Sequence, residues 1–281
     1  MPSQSVTKIQ TAPSASIGER LRHWRQLRRM SQLDLALEAE ISTRHLSFIE
    51  TGRSIPSREM VLHLAESLNV PLRERNALLL AAGYAPAFQA RELSDPALRP
   101  AREAVDALLA AHEPFPALAV DRHWTLIAAN RAVGPLIAGA APDLLKPPLN
   151  VLRLSLHPQG VAPRIVNLAE WRDHLLYRLR RQHADSADAA LGALIEELAA
   201  YPCGPSRPRS ADALASTIAV PLRIRTEQGT MSFLSTTMMF DAPLDATLSE
   251  IVLETFLPAD AETAETLRVS QSLSTAAPVA R

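Results

Sequence analysis

The stretch SQLDLALEAEISTRHLSFIETGRS, residues 31–54, restricts the fold more than any other part of this 281-residue chain. Ser31 carries the small oxygen-bearing side chain of a helix N-cap, and Leu33, Ala36 and Leu37 follow at helical spacing, so a short helix is predicted over 32–38. A tight turn through Glu40 and Ile41 leads to a second N-cap, Ser42. Leu46 and Ile49, flanked by Phe48, then give the next helix a buried edge, and Gly52 stands where a helix C-terminus favours glycine. A longer helix over 17–30 precedes this pair. After it, Ser57 caps a helix with Met60, Val61, Leu64, Ala65 and Leu68 inward, ended by Asn69, and Pro71 opens another that Gly83 closes. Five helices are therefore expected in the first 84 residues.

The exposed start of the third helix carries Ser42, Thr43, Arg44 and Ser47. A helix so placed sets its N-terminal side chains against base edges in the major groove while the preceding helix crosses the phosphate backbone, and Arg44 is the strongest base-reading candidate. Through Gln32, Ala36, Ser42, Leu46, Ile49, Glu50, Gly52 and Arg53 the segment resembles the phage-repressor and Cro-like regulators of XRE type. That resemblance implies phosphate contacts by Gln32 and Arg53, base-facing positions at Thr43, Arg44 and Phe48, and an ion pair between Arg25 and Glu50. Phe48 reads either as a partner for a thymine methyl or as plain packing. A helical bundle for protein contacts, as in an antitoxin module, is the alternative for the whole segment.

Composition narrows the other classes. With 47% hydrophobic and 21% charged residues the chain is an ordinary soluble globular sequence long enough for two domains. Its formal net charge of -1 means that any contact with nucleic acid must come from a local patch, and Arg20, Arg22, Arg25, Arg28 and Arg29 supply one on the first helix. Lys8 and Lys146 are the only lysines, so arginine serves as the cation throughout and the cluster is weaker evidence than its size suggests. A lone cysteine, Cys203, excludes a disulfide framework or a cysteine-rich zinc site within one chain. The opening residues lack the apolar core of a signal peptide and no apolar run approaches a bilayer span, so a cytoplasmic protein with no membrane partner is expected.

Residues 1–16, and the closing SQSLSTAAPVAR, have the composition of disordered tails. YAPAFQARELSDPALRP reads as a linker, with a boundary near Leu93 and a helix from Ala101 to His112 capped by Ser94 or Asp95. The pattern then changes. FPALAV, a turn at Asp121, Arg122 and His123, the strand WTLIAAN and a helix from about Asn130 form the opening of a PAS-like sensor fold. VPLRIRTEQGTMSFLSTTMMFD predicts a hairpin turning at Glu227, Gln228 and Gly229, and LSEIVLETFLPAD a final strand. Between them lie two helices, one with Leu168, Trp171, Leu175 and Leu179 inward. The expectation is thus two domains: an all-α, lambda-repressor-like helix-turn-helix domain over 17–84, and an α/β (α+β) PAS-like domain over 95–267 whose mainly antiparallel sheet carries helices on one side.

Across roughly residues 17–265 the chain resembles the MmyB-like (MltR-like) transcription regulators, in STRHLSFIETGRSIPSREMVLHLAE, NVPLRERNALLLAAGYAP, DRHWTLIAAN, NVLRLSLHPQGVAPRIVN and EWRDHLLYRLRRQ. The resemblance implies a bacterial, ligand-responsive regulator that binds operator DNA through its first domain and a small apolar ligand, such as a fatty acid, through its second. Trp124, Leu126, Leu152, Leu154, Trp171, Leu175, Phe233 and Phe240 are the apolar candidates for that pocket, or else ordinary core; His157 or Asn130 could receive a polar head, though Asn130 also suits a plain N-cap. No cofactor, metal site or catalytic set is expected: His157, His174 and His183 are scattered, and HExxH, GxSxG, GxGxxG and P-loop patterns are absent. An enzyme tethered to a DNA-binding module is the remaining alternative. One recognition helix reads few base pairs, so a homodimer on a near-palindromic operator is expected.

Overall fold

The computed structural model describes residues 15–203, 220–240 and 245–276. Residues 1–14 of the expected tail 1–16, and the last five residues, lie outside them. The chain divides into two compact units between Ala90 and Arg91.

The first unit consists of α1 (Ile17–Leu27), α2 (Gln32–Glu38), α3 (Thr43–Glu50), α4 (Arg58–Ser67) and α5 (Leu72–Ala81). Local chemistry sets nearly every boundary. The hydroxyls of Ser16, Ser31, Ser42 and Ser57 each accept a backbone N–H three residues on, satisfying donors that the first helical turn leaves open. At Ser16 and Ser31 the reciprocal bonds from Glu19 and Asp34 complete capping boxes, so Ser16 belongs to the folded unit rather than to a tail. Gly18 has a packing role: a Cβ there would lie 2.5 Å from the Ile49 carbonyl oxygen, so only glycine lets α1 approach the end of α3 this closely.

Leu21, Trp24, Leu35, Leu46, Ile49, Leu64 and Leu79 form the centre of this unit. The inward stripe of α2 differs from the expected one. Leu35, Ala36 and Ala39 are buried, whereas Leu33 is 56% and Leu37 69% exposed. Both stripes of this seven-residue helix are apolar, and its partners α3 and α4 cover only the first.

The second unit is built on a five-stranded sheet of order β2-β1-β5-β4-β3, with β1 Ala117–Val120, β2 Leu126–Ala129, β3 Leu222–Thr226, β4 Gly229–Met239 and β5 Val252–Pro258. Every pairing is antiparallel. The strand near the chain's end inserts at the centre, where Leu118 faces Glu254 and Val120 faces Val252 across β1 and β5. Helices α6 (Arg99–Ala111), α7 (Gly134–Ile137), α8 (Val151–Leu156), α9 (Leu168–Ser186), α10 (Ala189–Ala200), α11 (Ala246–Ser249) and α12 (Ala261–Ala276) complete the unit.

Helices cover both faces of the sheet, not one. Successive strand residues point to opposite faces. Leu118 and Val120 join the larger core with α8, α9 and α10, while Ala117 and Ala119 join Ile251 and Leu253 beneath Val105 and Leu109 of α6. Small side chains on the second face let α6 settle there. Two other segments also depart from expectation. Trp124 takes a left-handed φ of 65°, so the second strand starts only at Leu126. SQSLSTA continues α12 through Ala276 instead of fraying; Asp260 accepts from the Thr263 amide at its start, and Thr263, Ala264 and Leu267 are buried.

Candidate functional site

Helix α3 owes its placement to one carboxylate. The Glu50 side chain is 0% exposed and accepts from Arg25 twice, Nε to Oε1 at 2.7 Å and Nη2 to Oε2 at 2.9 Å, so the ion pair between first and third helices is present and bidentate. Gln32 Nε2 donates to the same carboxylate at 2.8 Å, and Arg22 reaches both its Oε2, at 3.4 Å, and the Glu50 carbonyl, at 3.2 Å. Burial alone would raise the Glu50 carboxyl, but the hydrogen bonds from Arg25, Gln32 and Arg22 outweigh it and hold it below the usual carboxylate range. Three helices thus meet on one buried charge.

The side chains expected to face DNA sit on one side of this junction. Ser42 is committed to capping, accepting from the His45 amide at 3.1 Å; Thr43 and Ser47 are half-buried and Arg44 is exposed. The Arg44 guanidinium lies over the Phe48 ring at 5.3 Å and that of Arg53 at 6.0 Å, so Phe48 is flanked by two cations. This gathers Arg44, Phe48 and Arg53 into one cationic cluster at α3. Gln32 is held through its amide nitrogen by Glu50.

In the second unit, a cavity of about 110 Å³ lies between the sheet and helices α7, α8 and α9. Trp124, Leu126, Leu152, Leu154, Trp171 and Leu175 line it, which brings together six of the ten residues proposed for ligand contact. The left-handed Trp124 reaches it because its indole is anchored by an Nε1 bond to Gln182 Oε1 at 2.8 Å. The wall is almost wholly apolar, with one charged exception. Arg178 of α9 pairs with Glu254 of β5, reaches Thr237 at 3.1 Å and lies 5.1 Å from the Trp124 ring. Ser155, also in the wall, accepts from Trp171 Nε1 at 3.1 Å.

The other four ligand candidates stand elsewhere. Phe233 is fully buried behind the wall, edge-on to the lining Phe256, and Phe240 packs in the smaller core under α6. Asn130 makes no N-cap bond; its amide is buried and spent on the Ala117 N–H and the Leu109 and Phe115 carbonyls, where it pins the end of α6 to β1. His157 ends α8, packs edge-on against Tyr201 and accepts from the Gln159 amide. Sequence reading overlooked Arg178, Glu254 and Gln182. Each is a charged or amide residue on a core-facing position, and the apolar periodicity used to find pocket residues has no signal for such a group. Among the described residues, no group of three or more His, Cys, Asp or Glu side chains is arranged to hold a metal ion, and no helix is long and apolar enough to cross a membrane.

Comparison with known proteins agrees with this division. Residues 21–75 match a helix-turn-helix family model, running from within α1 through α4 to the start of α5. No curated protein matches the chain. Residues 101–269, more than half of the chain, match the ligand binding domain of MmyB-like transcription regulators. With a DNA-binding helix-turn-helix of XRE type in front of that domain, the chain belongs to the MmyB-like transcription regulators.

Proposed function

We propose that the chain acts in the cytoplasm as a homodimeric, operator-specific regulator whose DNA affinity responds to an apolar ligand of fatty-acid type held in the second domain. Arg44 reads a base, Gln32 and Arg53 bind phosphate, and Thr43, Ser47 and Phe48 shape the contact around them. The observation that carries the ligand half is the apolar cavity with a single charged pair, Arg178 and Glu254, in its wall. Such a lining selects an apolar body.

Its volume also sets a condition. An apolar cavity of about 150 Å³ accommodates benzene, and sites for larger ligands run from roughly 300 Å³ upward. A space of about 110 Å³ therefore admits a fatty acyl chain only when part of the wall moves. The motion is what would make occupancy legible elsewhere.

The test uses an operator selected from a random duplex library. Delipidated chain and chain loaded with decanoate are titrated against it across a salt series, and affinity falls steeply with salt as counterions are released. Different operator affinities for the two forms are expected. Identical affinities across the series would defeat the ligand-response reading, and protection of a single half-site by a monomer would defeat the dimer.

A further inference from the structure

Helix α7 separates the apolar cavity from a second, larger one of about 740 Å³, within the size range of small-molecule sites. Leu136 lines both. The outer cavity differs in character: Arg131, Arg164, Arg225, Glu113 and Glu227 stand in its wall above apolar Met231 and Leu267. Glu113 neutralises Arg131 at 2.8 Å. Among the described residues, neither Arg164 nor Arg225 forms an ion pair.

An anion in this cavity would meet both arginines, which stand in its wall. An isolated antiparallel bridge between Ile165 and Ile224 sets the turn Ala162–Arg164 beside β3, and both arginines line the outer cavity. Arg164 is also the residue that holds α7, because its Nη2 donates to the Leu136 carbonyl. That helix is only four residues long, begins at Gly134 and is followed by Gly139 at a φ of 81°. Glycine tolerates the backbone change that displacing so short a segment requires.

We propose that the outer cavity is the mouth and headgroup site for an anionic amphiphile, and that Leu136 is the gate through which its alkyl tail enters the inner cavity. This inference rests on the ligand-response reading above and deepens it. An anion bound between Arg164 and Arg225 competes with the Leu136 carbonyl for Arg164. Head recognition thereby loosens α7, and the side chain of Leu136 turns out of the path between the two spaces. The inner cavity, too small for an acyl chain by itself, becomes the far end of a longer one. The polar groups that select the ligand are then those of the mouth, while Arg178 and Glu254 remain paired with each other inside.

Decanoate and decan-1-ol, which share a tail and differ in charge, provide the test when titrated calorimetrically into the full chain. Wild-type protein is expected to favour decanoate by about tenfold, as an added charge-assisted contact would give. Arg225→Gln should remove that preference while leaving decan-1-ol binding unchanged, and Arg164→Gln, which also frees α7 from the Leu136 carbonyl bond, should remove the preference while strengthening decan-1-ol binding. Leu136→Ala should accelerate association of both, and Leu136→Trp should block both. Arg225 is exposed, so its variant keeps the test decisive should the half-buried Arg164 substitution fail to fold. Equal affinity of the wild type for the two compounds, or an unaltered preference in both arginine variants, would overturn the mouth-and-gate assignment. Decan-1-ol that still bound and shifted operator affinity would in that case leave the regulator reading standing. Failure of both compounds to bind would overturn the two readings together.

Discussion

Replacing Glu50 should loosen the first domain far more than its single position suggests. The carboxylate is fully buried and its main partner, the Arg25 side chain, is 11% exposed, so truncating Glu50 to Ala strands a guanidinium whose remaining partner is the Met30 carbonyl at 2.8 Å. Breaking a buried pair from one side costs about 3–5 kcal/mol, and the loss of the Gln32 and Arg22 bonds places Glu50→Ala at the upper end. Arg25→Met should cost about 3 kcal/mol, because Glu50 keeps two donors and can also take up a proton. The double variant Arg25→Met with Glu50→Leu removes both charges and should fall well short of the summed single costs, giving a coupling of roughly 2–3 kcal/mol. Hydrogen exchange measured by mass spectrometry on peptides from α1 and α3 reads this locally in the full chain. The same experiment has a pH arm. A carboxyl held below its ordinary value of 4.5 contributes stability above that value and loses it as pH falls through the lowered one, so wild-type protection should decline in acid below about pH 4.5 and that of Glu50→Gln should decline less, since the capping carboxyls Glu19 and Asp34 still respond. Additive single costs, or an unchanged acid response in Glu50→Gln, would refute the idea that one buried charge organises three helices.

Two further outcomes are expected. Arg44→Ala should relax base preference at one operator position at a cost of about 1–3 kcal/mol, whereas Gln32→Ala or Arg53→Ala should weaken binding to all sequences alike; equal losses on operator and random duplex for Arg44→Ala would remove its reading role. Burial, with the charge of Arg178, pushes His174 from 6.5 down to about 4 where it stacks on Trp171, so the second domain should lose stability as pH falls from about 6.5 towards 4. The urea midpoint followed by tryptophan fluorescence should show a smaller loss over that window in His174→Gln.

The helices of the first domain were legible because their signals are local. Ser31, Ser42 and Ser57 cap at their own positions, and Gly52 and Gly83 stop helices with φ of 72° and 83°. What stayed hidden was which of two apolar stripes on α2 faces inward, a matter decided by α3 and α4 and not by α2. In the second domain the strands were visible by alternation, yet their order was not, since β5 joins β1 from the other end of the unit. The pocket shows the same limit more sharply. Trp124, Leu152 and Trp171 line it and Phe233 does not, although all four read alike as large core residues. Arg178 and Glu254 are intelligible only as a pair brought together by the fold, and the mouth arginines only through the cavity that both line.

The mismatch between the inner cavity and an acyl ligand also fixes how regulation must behave. If the open arrangement of α7 is a minor state, apparent ligand affinity is the intrinsic affinity reduced by the open fraction. A variant that favours opening, such as Leu136→Ala, should then bind ligand more tightly without any new contact, and should respond less to ligand because it begins nearer the liganded state. A ligand alters operator affinity only as far as it prefers one state over the other, and linkage makes the effect mutual: saturating operator must change ligand affinity by the same factor by which saturating ligand changes operator affinity. Titrating decanoate with and without the selected operator checks this directly. Unequal factors at equilibrium would mean that the two titrations follow different assemblies, and a change of operator affinity with no change of ligand affinity would show that the compound acts on the DNA or on aggregation rather than through the cavity.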